Sequence, residues 1–193
     1  TLSNSWDNGY PSGGNYWGDY TAADMKNGAN QDQFGPDGIC DSAYYITRQN
    51  VDNYPLVAPI KIFKVGVWDQ EECYVNLITN STVSGFKINI AEKTLSFNVS
   101  GAEGTTGFCR AIIPNFIVQD LWNGNYKVLL NGVEWPFQNW TDYENTYIYI
   151  DYTHSEHEVI IVAEYRSFAL LALLLITITA ITAISKRRYV KHK

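Results

Sequence analysis

TLSFNVSGAEGTTGFCRAIIP, residues 94–114, decides the fold class. Leu95, Phe97 and Val99 alternate with Ser96 and Asn98, the two-residue period of a strand with one buried face. A glycine-rich turn follows, and residues 108–113 form the next apolar run. The same pattern extends on both sides, with strands expected over 60–68, 73–79, 84–90, 126–130, 145–152 and 159–165. Within YKVLLNGVEW, residues 126–135, Asn131-Gly132 is a two-residue hairpin signal. Residues 116–122, after Pro114, read as a short helical turn.

Eight or so antiparallel strands in about a hundred residues predict a mainly β fold, with an immunoglobulin-like β-sandwich over residues 60–165. Upstream, residues 1–59 have almost no hydrophobic period. Gly-Gly, Asn-Gly, Tyr-Pro and Pro-Asp-Gly steps recur there, so a turn-rich module is expected, its core supplied by Trp and Tyr. Its backbone must be satisfied by side chains, water or a cation. Asp32, Asp37 and Asp41, interleaved with Gly35 and Gly38 and preceded by Asp19 and Asp24, offer the oxygen-rich loop that Ca²⁺ requires. They equally describe a cluster of Asx turns, and the D-x-D-x-D-G run of an EF-hand is missing.

Charge is divided unevenly. The 193 residues carry 14 Lys and Arg against 20 Asp and Glu, a net −6. All 20 acids and 8 of the bases fall in residues 1–165, whereas residues 166–193 hold 6 bases and no acid. The acidic body argues against nucleic acid as a partner. Residues 167–184, SFALLALLLITITAITAI, are 18 positions without a charge, about 27 Å as a helix. Tyr165 and Arg166 flank one side and KRRYVKHK the other. A transmembrane helix over 166–185 is expected, with a basic cytoplasmic tail at 186–193 and the ectodomain outside the cell. That orientation needs an export signal upstream, so the expectation is a processed chain or the C-terminal part of a longer one.

WDNGYPSGGNYWGDY (residues 6–20), PDGICDSAYYI (36–46) and NVDNYPL (50–56) resemble the segment that closes right-handed parallel β-helix proteins of the NosD-like type, which are archaeal and bacterial surface or periplasmic proteins. Trp6, Tyr16, Trp17, Asp19, Asp37, Gly38, Asp41, Asp52, Tyr54 and Pro55 fall on that pattern, while Cys40 and Ala43 depart from its Gly and Pro. The resemblance covers roughly residues 4–58 and implies the C-terminal part of an archaeal cell-surface protein. It favours Ca²⁺ over plain turns, with Asp19, Asp24, Asp37 and Asp41 as ligands. The stretches between NSTVSGF (80–86) and YTHSEHEVII (152–161) also look like a juxtamembrane domain of archaeal surface proteins.

An external location gives meaning to three N-x-[ST] sequons, at Asn80, Asn98 and Asn139, as glycosylation sites. It also permits disulfides. Cys73 and Cys109 both fall in expected strands and are the favoured pair, leaving Cys40 over; three buried thiols are the alternative. His154 and His157 in THSEHE form an H-x-x-H that could hold copper, although two ligands at a strand turn do not close a site. No phosphate-cradling loop, G-x-S-x-G or H-E-x-x-H occurs, and no enzyme is expected. The chain reads first as a membrane-anchored surface protein with a structural or interaction role, its ectodomain stabilised by Ca²⁺, a role that includes an accessory subunit of a larger envelope or membrane complex and whose partners are other surface proteins or glycans. A carbohydrate-binding or carbohydrate-active protein and a copper-handling protein are the alternatives.

Overall fold

The computed structural model describes residues 4–164. The expected membrane span at 166–185 and the tail at 186–193 lie outside those residues. Among the described residues no helix is long and apolar enough to cross a membrane.

The front segment contains two small hairpins, β1 (Lys26–Asn27) with β2 (Gln33–Phe34) and β3 (Tyr44–Thr47) with β4 (Asn50–Asp52). The sandwich follows. Its strands are β5 (Ile60–Trp68), β6 (Glu71–Thr79), β7 (Thr82–Asn89), β8 (Thr94–Ser100), β9 (Thr106–Pro114), β10 (Tyr126–Leu130), β11 (Val133–Trp135), β12 (Gln138–Thr141), β13 (Asn145–Thr153) and β14 (His157–Ala163). They form two five-stranded antiparallel sheets, β12-β13-β9-β6-β5 and β11-β10-β14-β8-β7. The mainly β sandwich expectation holds at this level, and β11 and β12 join the eight strands expected.

Alternation builds the core. Leu95, Phe97 and Val99 of β8 meet Val75 and Leu77 of β6, Ala111 and Ile113 of β9 and Val159 and Ile161 of β14, all buried. Phe63 of β5 stacks on Phe86 of β7 at 4.2 Å between centroids and links the sheets near one edge. Helix α1 (Asn115–Trp122) closes one end of the core with Ile117, Val118, Leu121 and Trp122. It stops at Asn123, which adopts φ 50° and donates its N–H to Gln119 O, a left-handed cap.

The proposed Cys73–Cys109 pairing is corrected here. All three cysteines are free and buried. The β6–β9 register sets Thr79, not Cys73, opposite Cys109. Cys73 lies six positions along β6 from Thr79, about 20 Å, whereas a disulfide needs Cα atoms within about 7 Å.

Candidate functional site

Packing crosses the change in style at residue 59. The front segment and the sandwich belong to one compact unit that ends at Ala163. A second, smaller core lies on the outer face of the first sheet, where Ile39, Leu56 and Ala58 bury Ile78, with Tyr10, Tyr54, Phe108 and Ile112 around them.

Arg110 stands at the centre of this junction. β9 directs it outward from the sandwich, and the front segment covers it completely, leaving 0 % exposed. Its Nη1 donates to Asp37 O at 2.8 Å and its Nη2 to Pro11 O. The guanidinium lies 4.8 Å from the Tyr147 ring centroid and 5.9 Å from that of Trp140. Burial lowers the guanidinium's pKa and the charge of Asp37 raises it, and arginine's very high ordinary value keeps it charged. Gly38 lets the chain pass, since it adopts φ +87° and a Cβ there would sit 3.0 Å from Arg110 Cδ.

The aspartates have partners of their own. Asp24 Oδ1 and Oδ2 accept the N–H groups of Asp37 and Gly38 at 2.9 and 2.8 Å. Asp41 Oδ1 accepts from Met25 and Lys26, both at 3.0 Å. Asp37 accepts from Ile39 N at 2.9 Å and Gln31 Nε2 at 3.2 Å. Asp19 accepts from the Tyr44 hydroxyl at 3.0 Å. Burial, only partly offset by its two N–H partners, pushes the Asp24 carboxyl up to about 7, with the neighbouring Asp37 and Asp41 charges adding to the rise. Burial also raises Asp37, against the pull of Arg110. Among the described residues no group of three or more His, Cys, Asp or Glu side chains is placed to hold a metal ion. Asp24, Asp37 and Asp41 thus accept backbone N–H groups of the loop, and Asp19 accepts a tyrosine hydroxyl.

Asp52 does comparable work on the other side of the loop. Its Oδ2 accepts from Asn15 N at 2.7 Å and Trp17 Nε1 at 2.9 Å, and its Oδ1 from Tyr54 N at 3.1 Å. Gly14 has no room for a Cβ because the carboxylate of Asp52 occupies that space. Asp7 accepts Gly9 N at 3.0 Å, Asn53 N at 2.9 Å and Asn53 Nδ2 at 3.0 Å. The rings line up beside this frame: Trp6 lies 5.9 Å from Trp17, which stacks on Tyr44 at 4.6 Å, and Tyr20 lies 5.0 Å from Tyr44. A groove of about 330 Å³ opens there, lined by Ser5, Trp6, Asp7, Asn8 and Asn15 with Gly13 and Gly14.

The histidines are brought near one another but turned to separate partners. His154 is buried, with Nε2 2.8 Å from Ser81 Oγ and Nδ1 2.6 Å from Thr105 Oγ1. His157 has Nδ1 2.9 Å from Asn131 Nδ2 and Nε2 2.7 Å from Thr153 O. Each ring meets Tyr152 edge-on, at 5.9 and 5.6 Å. All four nitrogens are engaged, and a copper ion would have to displace these partners.

Of the sequons, Asn80 and Asn139 are exposed and Asn98 is half-buried within β8. Asn80 is engaged at both ends of its amide, donating to Thr106 O at 2.9 Å and accepting from Phe108 N at 3.0 Å. Asn139 donates to the Tyr126 hydroxyl at 2.9 Å.

The residues that sequence reasoning missed are Arg110, as the junction, and Asp52, whose place in NVDNYPL carried no role. A lone arginine inside a strand pattern whose neighbours are apolar was the available signal for the first. No family model, curated protein or solved structure matches this chain. The family resemblance thus stands on the quoted residues alone.

Proposed function

We propose that this is a single-pass, membrane-anchored cell-surface protein in which the sandwich holds an aromatic-rich front segment as a rigid contact surface. The observation that carries the reading is the Arg110 junction, which ties the front loops to the sheet by two carbonyls and two rings. Loops held in this way keep their side chains in place without help from a partner, which lowers the ordering cost of recognition. Phe34, Tyr45 and Tyr16 remain exposed on that segment, and broad rings of this kind suit contact with another surface protein or with glycan. The uncharged stretch 167–184 and the basic run after it support the anchor. An immunoglobulin-like connectivity and a role as accessory subunit of an envelope complex belong to the same proposal.

Protease added to intact cells is expected to remove the folded part and leave the C-terminal tail. Sparing of the folded part, or its release by carbonate washing, overturns the anchor. A second reading, saccharide binding, is favoured by the groove beside Trp6, where a ring and the polar groups of Asp7, Asn8 and Asn15 share one wall. A glycan array decides it: selective binding abolished by Trp6→Ala supports that reading, and silence removes it.

A further inference from the structure

The two ends of the sandwich differ. Strand β14 delivers the chain out at Ala163, which pairs with Tyr126, and Val162 pairs with Thr94. The connections at that end are the β5–β6 turn, the β7–β8 turn, helix α1 and the β12–β13 turn. They are drawn together: Phe116 lies 6.0 Å from Trp68, Trp122 Nε1 donates to Lys93 O at 2.8 Å, and Asn115 Nδ2 donates to Asp142 O at 3.0 Å. Three of them bring a large apolar side chain to the surface, and β5 adds Val67 two residues before its turn. Val67 is 61 % exposed, Ile90 63 %, Phe116 43 % and Tyr143 97 %. At the opposite end the connections 80–81, 101–105, 131–132 and 154–156 are polar or small, and the large apolar side chains exposed beside them are Val133 and, at 44 %, Ile60 at the start of β5.

We propose that the α1 end of the sandwich rests on a lipid surface and places Ile90, Phe116 and Tyr143 among uncharged headgroups. This rests on the membrane-anchored reading above. Ala163, the end of β14, is four positions from Ser167, the start of the uncharged stretch, so even a fully extended chain holds it within about 14 Å of a span beginning there. The headgroup zone on each side of a bilayer is itself some 5–8 Å deep. Tethering at that distance replaces an encounter from solution by an intramolecular one, so a small apolar patch suffices. Aromatic side chains favour this zone, with the ring in the boundary and the polar tip in water.

Charge selects the lipid. Glu71, Glu92, Asp120, Glu144 and Glu164 are exposed around this end, against Lys93. Anionic headgroups are therefore repelled, and neutral or zwitterionic ones are accepted. With anionic lipid, added salt should restore the contact by screening.

The test uses the full chain in phosphatidylcholine nanodiscs, whose two faces are both open to solvent. Single cysteines replace Ile90, Tyr143 and, as control, Val133, and each carries a nitroxide. The native thiols are buried and do not compete for label. Labels at 90 and 143 are expected to collide several-fold more with oxygen, relative to a water-soluble nickel complex, than the label at 133. Equal ratios at all three positions, in chains that resist carbonate, overturn the lipid contact and leave the anchor standing. Labels at 90 and 143 shielded from both quenchers assign the patch to a second copy or another protein, and also overturn it. Chains that wash off the discs refute the anchor and this contact together.

Discussion

At the residue scale, the carboxylates of the acidic loop are tied to backbone amides, and burial shifts one of them. Asp24 has a folded-state pKa of about 7, above the ordinary aspartate value near 3.9. The native state then binds more protons than the unfolded chain between those values, so this group's contribution to stability is full below pH 4 and is lost as pH rises through 7. Urea midpoints at pH 5 and pH 8 should differ more in the wild type than in Asp24→Asn, which has no proton to bind. Calorimetry in chelator and in millimolar Ca²⁺ tests the cation proposed for Asp19, Asp24, Asp37 and Asp41: a front-segment transition raised by Ca²⁺ supports it, and identical transitions remove it. Alkylation of the unfolded chain without reductant should add three labels, one for each of Cys40, Cys73 and Cys109, and a single adduct would revive a disulfide. Burial pushes the Cys40 thiol up to about 12, so native-state labelling should be slow.

At the element scale, β9 serves two cores. Its inward residues Cys109, Ala111 and Ile113 fill the sandwich, and its outward residues Phe108, Arg110 and Ile112 receive the front segment. Arg110→Met leaves the carbonyls of Pro11 and Asp37 without a donor and should cost about 1–3 kcal/mol for each, the usual penalty for a buried polar group left unpaired. Limited proteolysis is the measurement: cuts within residues 4–59 should accelerate while the sandwich strands stay protected. Gly38→Ala should act in the same direction, through its positive φ and its contact with the Arg110 stem. Strand β5 shows a different device. It is an edge strand, and its register shifts between Lys64 and Gly66 while Lys61 turns inward to donate to Ser81 O at 2.7 Å. A bulge and an inward lysine both discourage a further strand from pairing there.

At the scale of the whole molecule, the sandwich was legible because alternation is a local signal. The runs at 60–68 and 126–130 emerge as strands with those bounds, and 116–122 falls within α1. β11 was signalled only by the Asn131-Gly132 hairpin step, which the β10–β11 pairing bears out, and β12 was not legible: QNWT is too short and too polar to show a period and becomes a strand only by pairing with β13. The aspartates of the front loops were visible as a cluster, yet their partners were not. Whether a carboxylate faces a cation or an amide depends on where N–H groups from residues up to 46 positions away arrive, as Asn53 does at Asp7. Composition and period by themselves determined that this protein is mainly β, acidic over residues 1–165, and carries an uncharged stretch followed by bases, because each is a property of residues close in the chain. Tertiary structure alone decided that Cys73 and Cys109 stand apart, that Arg110 binds loops 73 and 99 residues away, and that exposed apolar side chains gather where β14 ends. Those outcomes follow from strand register and sheet order, which set distances between residues remote in sequence and leave no trace in local pattern.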